Sequence, residues 1–303
     1  MISIQQMHYI LVLSEELHFQ RASERCFVTQ PTLSMQLKKA EEILEAKLFD
    51  RTRNPIELTE FGEALLPIIR DTLSEYNRIT DLFNRKKGTF KEELRVGIIP
   101  TVAGFMLPDL YTTWQEELLD VHLTIEELKT EEILKALDQK KIDVGILAGP
   151  VHDPKLRTIH LFQEEIRLYY PSTKAEEVQA DALKNMRPWL LTSGNCLRTQ
   201  MMNFCELRAH QQEWDYEGGN IELLLRMVEL HGGYTLVPEN YIQSSSGDYK
   251  RIVSLNGDVP AREIIALTPN RNGKWKQVER MLRSVQLRYS SPSKGKYQLL
   301  TWS

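Results

Sequence analysis

Two of the chain's three cysteines, Cys196 and Cys205, lie nine positions apart in the stretch SGNCLRTQMMNFC. This spacing does not fit a CxxC redox motif, and a zinc site is short of ligands because His210 is the one nearby third donor. Thiols can instead react with peroxide: a thiolate becomes a sulfenic acid, and a second thiol converts it to a disulfide. The alternative is that both cysteines are incidental, since many cysteines are simply small apolar side chains.

The residues around the pair predict a strand, WLLTSG, followed by a helix that starts near Asn195. Nine residues of helix separate two Cα atoms by roughly 13 Å, whereas a disulfide tolerates no more than about 7 Å. A bond between Cys196 and Cys205 therefore requires a broken helix, which makes this segment a candidate two-state element. The helix dipole and Arg198 favour the thiolate of Cys196, while Cys205 falls in mid-helix among apolar residues and is predicted to be buried.

The composition indicates an ordinary globular protein. Of 303 residues, 42% are hydrophobic and 26% are charged, which suits two or three domains with their own cores. No segment predicts a membrane span or a signal peptide, and three cysteines do not make a disulfide scaffold, so we expect a cytoplasmic protein. The net charge of −4 argues against a nucleic-acid partner on average, but a small basic face can be hidden in that average.

The N-terminal residues predict a helix-turn-helix. Residues 4–17 carry an apolar helical stripe, a short helix follows, and VTQPTLSMQLKKAEEIL predicts a second helix with Leu33, Leu37 and Ile43 facing inward. The Asn-Pro turn in LFDRTRNPIELT predicts a wing. The outward positions of the second helix are donors and acceptors that can read base edges and phosphates, in contrast to a plain three-helix bundle: Gln30, Thr32, Ser34, Gln36, Lys38 and Lys39.

Residues 59–86 predict one long helix with an apolar a/d seam. We expect its partner to be a second copy of the chain, and Pro67 should bend or weaken its first turns. The segment RKKGTFKEE, with Gly88, predicts the hinge to the next domain. The seam consists of Leu66, Ile69, Leu73, Tyr76, Thr80 and Phe83.

From residue 93 onward, strand-like and helical segments alternate, which predicts a mostly parallel α/β architecture. Ligands in such folds bind beyond the carboxyl ends of the strands. Thr101 and Thr130 fall at two such ends and are candidate binding residues, although Thr101 could equally cap the helix that follows it.

The stretch HFQRASERCFVTQPTLSMQLKKAEEILEAKLFDRT resembles the winged helix-turn-helix of LysR-type transcriptional regulators. The resemblance implies a DNA-binding domain at 1–58, a dimerising linker helix at 59–87 and a regulatory domain at 88–303. That last domain would consist of two periplasmic-binding-protein-like α/β subdomains, 93–163 with 265–303, and 164–264. The DNA-binding residues that it implies on the recognition helix, the wing and the phosphate contacts are Arg21, Thr29, Gln30, Pro31, Thr32, Ser34, Gln36, Lys38, Lys39, Arg51 and Arg53.

GNCLRTQMMNFC, with GIIPTV and LPDL, is similar to the hydrogen-peroxide-sensing members of that family. The resemblance implies that Cys196 attacks peroxide and Cys205 resolves the product, that Thr101 and Thr130 position peroxide, and that Arg198 stabilises the thiolate. Asn195 stands where a histidine is frequent, so reactivity or its pH dependence is expected to differ.

The same resemblance implies promoter DNA and RNA polymerase as partners, self-association to dimers and tetramers, and regulation of oxidative-stress genes, with no cofactor, no metal, no membrane and no enzymatic activity. Two alternatives stay open: a LysR-type regulator of a small metabolite, and a thiol peroxidase, for which a DNA-binding domain has no use. The tail PSKGKYQLLTWS predicts no function.

Overall fold

A computed structural model describes residues 1–86, 91–171, 174–184, 186–192, 194–204, 220–242, 249–254, 257–289 and 297–300, without the side chains of 78, 80–86 and 253. The chain divides into two compact units, Met1–Phe90 and Lys91–Ser303, and the predicted hinge near Gly88 lies outside the described residues. Among the described helices, none has the length and apolar character that crossing a bilayer requires.

The N-terminal unit confirms the predicted winged helix-turn-helix. The strands of the wing pair antiparallel, and the Thr29 hydroxyl accepts a hydrogen bond from the Thr32 backbone N–H (3.4 Å) as the cap of the second helix. The elements are α1 (Ile4–Glu16), α2 (Phe19–Arg25), α3 (Gln30–Leu44), β1 (Phe49–Asp50), β2 (Glu57–Leu58) and α4 (Glu60–Lys86).

One inward position predicted on α3 is wrong. Leu33 and Leu37 are fully buried, but Ile43 is 46% exposed. The buried face continues through Ala40 and Leu44 instead, which keeps the steps of three and four residues that one helix face requires. Ile43 therefore points one residue, or about 100°, away from the core.

The long helix α4 turns part of its predicted dimer seam toward its own chain. Ile69 and Leu73 belong to the core of the N-terminal unit, and Leu66 is buried as well. The structure corrects the prediction at these three positions, because α4 packs against α1 and closes a helix-turn-helix core too small to bury itself.

A different apolar stripe on α4 stays exposed. Phe61, Ile68 and Ile79 are exposed, and at about 100° per residue they fall within about 20° of one another around the helix. Tyr76, from the predicted seam, is about half exposed, while the side chain of Phe83 lies outside the described residues. Apolar surface for pairing with a second chain is thus present, on a face rotated from the predicted one.

The second unit alternates strands and helices as predicted. A short 3₁₀ turn spans Ala180–Leu183. The elements are β3 (Glu92–Ile98), α5 (Pro100–Glu117), β4 (Val121–Glu127), α6 (Thr130–Asp138), β5 (Val144–Ala148), β6 (Leu156–Tyr169), β7 (Glu177–Gln179), α7 (Cys196–Phe204), α8 (Ile221–His231), β8 (Thr235–Pro238), α9 (Glu239–Ile242), β9 (Tyr249–Val253), β10 (Val259–Pro269), α10 (Trp275–Tyr289) and β11 (Tyr297–Leu299).

The sheet of this unit is mixed rather than mostly parallel. Its order is β4-β3-β5-β10-β6-β9-β7, with β11 beside β10 and β8 beside β6. The pairs β3–β4, β3–β5, β7–β9 and β10–β11 are parallel, but the long strands β6 and β10 run antiparallel to each other and to β5, β8 and β9. These two strands are the crossovers between two subdomains, each with its own core.

The segment predicted as the strand WLLTSG forms no strand among its described residues, and pairing near it is a single bridge between Pro188 and Tyr234. The helix that follows places adjacent residues in different cores: Cys196 packs in the first and Leu197 in the second. Leu300 of the tail also packs in the second core, away from the subdomain to which residues 265–303 were assigned from the sequence.

Candidate redox site and nucleic-acid interface

The three residues predicted to meet peroxide all lie in the first turns of helices. Thr101 is the second residue of α5, Thr130 begins α6 and Cys196 begins α7, and each of the three is at least nine-tenths buried. The helices α5 and α6 follow the adjacent parallel strands β3 and β4, so their N-termini meet at one edge of the sheet. The Thr101 hydroxyl does not cap α5, since the cap residue is Ile99 and has no side-chain hydrogen bond.

A buried ion pair between Arg262 and Glu164, absent from the sequence prediction, organises this edge. Arg262 is fully buried, and its Nε donates to Glu164 Oε1 (2.8 Å). Its Nη1 donates to the Thr101 hydroxyl (2.8 Å), and its Nη2 donates to the Thr101 carbonyl (3.1 Å). The other carboxylate oxygen of Glu164 accepts from the Asn240 side-chain amide (3.0 Å). One cation from β10 thus ties the start of α5 to β6 and α9.

The Cys196 thiol lies within the field of Arg262. Burial raises the pKa of Cys196 above its ordinary value, while Arg262, the backbone N–H groups of Leu197 and Cys196, and the Thr130 hydroxyl each act to lower it. The expectation of a low pKa for Cys196 is therefore wrong for the buried thiol of this structure, because the effect of burial on the pKa outweighs that of Arg262 and the hydrogen-bond donors. Thr130 Oγ1 is buried and makes no hydrogen bond of normal geometry among the described residues, so its contact with the thiol is a weak one.

The two neighbours predicted to tune the thiol have structural partners. The Asn195 side-chain oxygen accepts from the Leu197 backbone N–H (3.1 Å), so Asn195 caps α7. Arg198 Nη1 donates to the Leu191 carbonyl (2.7 Å), which holds the preceding segment against the helix. The cation that acts on the Cys196 thiol is Arg262, and a thiolate-stabilising role for Arg198 stays a prediction.

The length of α7 alone excludes a disulfide in this conformation. Cys196 and Phe204 are the ends of the described helix, so their Cα atoms lie about 12 Å apart. Cys205 lies outside the described residues, but its Cα is joined to that of Phe204 by about 3.8 Å and cannot come nearer to Cys196 than about 8 Å. A disulfide tolerates no more than about 7 Å, so α7 must unwind before the bond can form.

The zinc alternative rests on residues that the structure does not describe. His210 and Cys205 both fall in the range 205–219. Elsewhere along the described chain, no three His, Cys, Asp or Glu side chains group closely enough to hold a metal ion.

The candidate nucleic-acid interface is the first half of α3. Gln30, Pro31, Lys38 and Lys39 are exposed, while Thr32, Ser34 and Gln36 are partly buried. Met35 is about half exposed on the same helix, an apolar contact of the kind that thymine methyl groups accept, which the sequence reasoning missed. Met35 points outward because Leu33 and Leu37 on either side of it are buried. A search for outward polar residues could not identify it, since its side chain is apolar.

The two arginines predicted for the wing differ in their contacts. Arg51 Nη2 donates to Glu41 Oε2 (2.9 Å), and Glu41 is itself buried and accepts from the Leu48 backbone N–H (2.9 Å). Arg53 is exposed and pairs with Glu57 on the wing surface (2.7 Å). Removing Arg51 would leave a buried carboxylate with a weaker partner, so Arg53 is the cleaner probe of a DNA contact.

We expect Gln30→Ala and Arg53→Ala to weaken DNA binding in different ways. Losing a base contact at Gln30 should relax preference at one base pair by about 1–3 kcal/mol, whereas losing a phosphate contact at Arg53 should weaken every sequence and lower the salt slope by about 1. Fluorescence anisotropy with duplexes selected by the unaltered chain, and their single-base variants, at two salt concentrations measures both. Uniform weakening by Gln30→Ala would remove it from base recognition.

The fold defines a winged helix-turn-helix regulator with a regulatory unit of two subdomains. Residues 4–63 match the family described as bacterial regulatory helix-turn-helix protein, lysR family, and residues 87–288 match the LysR substrate binding domain. The chain belongs to the LysR family of transcription regulators.

Within that family, the chain is similar to hydrogen-peroxide regulators. It is 30% identical over 241 residues to the hydrogen peroxide-inducible genes activator of Pectobacterium carotovorum subsp. carotovorum, covering 78% of this chain and 80% of that protein. It is 29% identical over 265 residues to the transcriptional regulator EstR of Acinetobacter baylyi, covering 86% of each. A full-length OxyR variant from Pseudomonas aeruginosa superposes with a TM-score of 0.76 at 25% identity, over 97% of this chain and 99% of that one.

Proposed function

We propose that this protein is a transcription factor that senses hydrogen peroxide through reversible oxidation of Cys196 and Cys205. The observation that carries the proposal is a buried cluster in which Arg262 donates to the Thr101 hydroxyl and acts on the Cys196 thiol, with Thr130 beside that thiol. Peroxide needs hydrogen-bonding groups to hold it and a positive field to stabilise the thiolate that attacks it. The names of relatives add support, but EstR is nearly as similar as the peroxide regulators, so identity alone does not select this function.

The proposed chemistry has two balanced steps. The Cys196 thiolate attacks one oxygen of hydrogen peroxide, the O–O bond breaks, and sulfenic acid forms with release of hydroxide. The Cys205 thiolate then attacks the sulfenic sulfur, a disulfide forms, and the second oxygen leaves as hydroxide, which takes up a proton to become water. A cellular thiol returns the pair to the reduced state by thiol–disulfide exchange.

The link from the thiols to DNA is the unwinding of α7, because the disulfide between Cys196 and Cys205 cannot form while this helix is intact. Cys196 packs in one subdomain core and Leu197 in the other, so unwinding α7 changes the contacts between the two subdomains. We propose that this change alters how a self-associated protein, paired in part through the exposed stripe on α4, presents its winged helices to promoter DNA and to RNA polymerase.

The test is mass spectrometry of the full-length protein after dilute hydrogen peroxide treatment, combined with promoter footprinting. We expect a pair of peptides joined through Cys196 and Cys205, with a mass about 2 Da lower than the summed mass of the two reduced peptides. We also expect a changed footprint that dithiothreitol returns to that of the reduced protein. Cys26→Ser removes the chain's remaining cysteine, which is partly buried in the N-terminal unit; it serves as the matched control and should behave like the unaltered chain.

Two other outcomes identify the alternatives. Separate, reduced thiols after peroxide would make this protein a LysR regulator with a different signal. Rapid, repeated turnover of peroxide with a thiol reductant, and no change in the footprint, would make it a thiol peroxidase.

A further inference from the structure

The C-terminal strand lies directly beside the redox site. β11 pairs in parallel with Val259–Ala261 of β10, and the Leu300 backbone N–H extends the pairing by donating to the Ala261 carbonyl (2.8 Å). The next residue of β10 is Arg262, whose guanidinium reaches Thr101 and acts on Cys196. The tail therefore pairs with the strand segment that directly precedes the cation of the site.

The residue that follows the strand, Leu300, is fastened to the middle of α7. Gln200 is fully buried, and its Nε2 donates to the Leu300 carbonyl (3.1 Å). The other side-chain atom of Gln200, Oε1, has no hydrogen-bond partner among the described residues, so loss of the Leu300 contact would leave the whole buried amide unsatisfied. The Leu300 side chain is also buried, in the core cluster that contains Leu197 and Phe204.

The start of the strand is anchored independently of α7. Tyr297 Oη donates to Glu165 Oε1 (2.9 Å), and Arg167 lies 3.0 Å from the other oxygen of the same carboxylate. Polar contacts on β6 hold the first residue of β11, while Gln200 and the second core hold Leu300. The segment 297–300 thus links the crossing strands β6 and β10 to the helix that has to unwind.

We propose that the segment 297–300, β11 with Leu300, is a strap that positions Cys196 by fastening α7, and that disulfide formation releases it. The proposal rests on the peroxide-sensing function proposed above. A disulfide requires that residues 196–204 unwind. Unwinding breaks the hydrogen bond between Gln200 and Leu300 and removes Leu197 and Phe204 from the core in which the Leu300 side chain is buried. The strap holds the reduced state closed and raises the barrier to the second redox step.

The test compares Leu300→Ala with Leu299→Ala in the full-length reduced protein. Both variants remove the same atoms from adjacent positions, but Leu300 is 5% exposed and Leu299 is 54% exposed. We expect Leu300→Ala to speed amide exchange across residues 196–204 about tenfold or more and Leu299→Ala to leave it unchanged. Leu300→Met should restore slow exchange, and Gln200→Met, which removes the donor, is a second variant should Leu300→Ala not fold.

Reaction kinetics separate positioning from general stabilisation. In a Cys205→Ser background, Leu300→Ala should slow formation of the Cys196 sulfenic acid, because the thiol is no longer held beside Arg262 and Thr130. With both cysteines present, the same change should speed conversion of the sulfenic acid to the disulfide, because α7 unwinds more readily. Equal rates for Leu300→Ala and Leu299→Ala in both steps would overturn the strap.

Oxidation of the unaltered chain tests release directly. We expect the Leu300 amide to lose protection together with α7 when the disulfide forms, and to keep it in Cys196→Ser. If the disulfide forms and α7 unwinds while the Leu300 amide stays protected, the proposed peroxide-sensing function is supported and the proposed strap is wrong. If no disulfide forms, the peroxide function fails, and the reduced-state comparison of the two leucine variants decides the strap alone.

Discussion

Cys196→Ser should abolish every response to hydrogen peroxide, whereas Cys205→Ser should change the product rather than remove it. The reason is that Cys196 lies within the field of Arg262 and beside Thr130, and its removal leaves no nucleophile at the site. Without Cys205 the sulfenic acid still forms on Cys196 but has no resolving thiol, so it lingers or over-oxidises. Trapping with dimedone followed by mass spectrometry distinguishes the two variants.

The disulfide requirement adds a structural readout to that comparison. Oxidised unaltered protein should lose amide protection across residues 196–204, because a bond of at most about 7 Å between Cα atoms cannot span α7. Cys205→Ser should keep this protection after peroxide and should leave the promoter footprint of the reduced protein unchanged. Identical promoter responses from both serine variants and the unaltered chain would show that the thiols do not carry the signal.

Local pattern predicted the elements of the site because its residues begin helices. Thr101 and Thr130 each lie three residues after the end of a strand, and Cys196 comes directly after a capping residue, so each position can be found in a short window of sequence. Arg262 was not, because its role depends on β10 crossing between the subdomains and on a partner, Glu164, on another crossing strand. An arginine in an apolar strand was the available signal, since a charge in such a strand needs a buried partner.

The spacing of apolar residues likewise predicted an apolar face on α4, but spacing alone does not show whether that face packs against the same chain or against a second one. Ile69 and Leu73 complete the helix-turn-helix core, and only packing in three dimensions shows how little apolar surface α1–α3 can bury by themselves. The partner of the charged residue Arg51 was likewise not predictable from local sequence. Its sequence context suits a DNA contact, whereas its partner is Glu41, a buried carboxylate on a different element.

Arg262→Met should destabilise the regulatory unit by about 3–5 kcal/mol, because it leaves the Glu164 carboxylate buried without its cation. Burial already raises the pKa of Glu164, and Arg262 and Asn240 act to lower it. Arg262→Met combined with Glu164→Gln should recover most of the loss, since an amide can still accept from Asn240 and carries no charge. Arg280→Met, at an exposed pair with Asp120, should cost less than about 1 kcal/mol.

Urea unfolding followed by tryptophan fluorescence measures this in the full chain, because all five tryptophans lie within Lys91–Ser303. The folded double variant then isolates the chemical role of the guanidinium. Without it, the pKa of Cys196 should rise further, since burial remains and the largest opposing charge is gone. A higher pKa lowers the thiolate fraction at neutral pH, so sulfenic acid should form more slowly there, with the rate recovering as pH rises. An unchanged rate and pH profile in a stably folded double variant would show that Arg262 serves the fold alone.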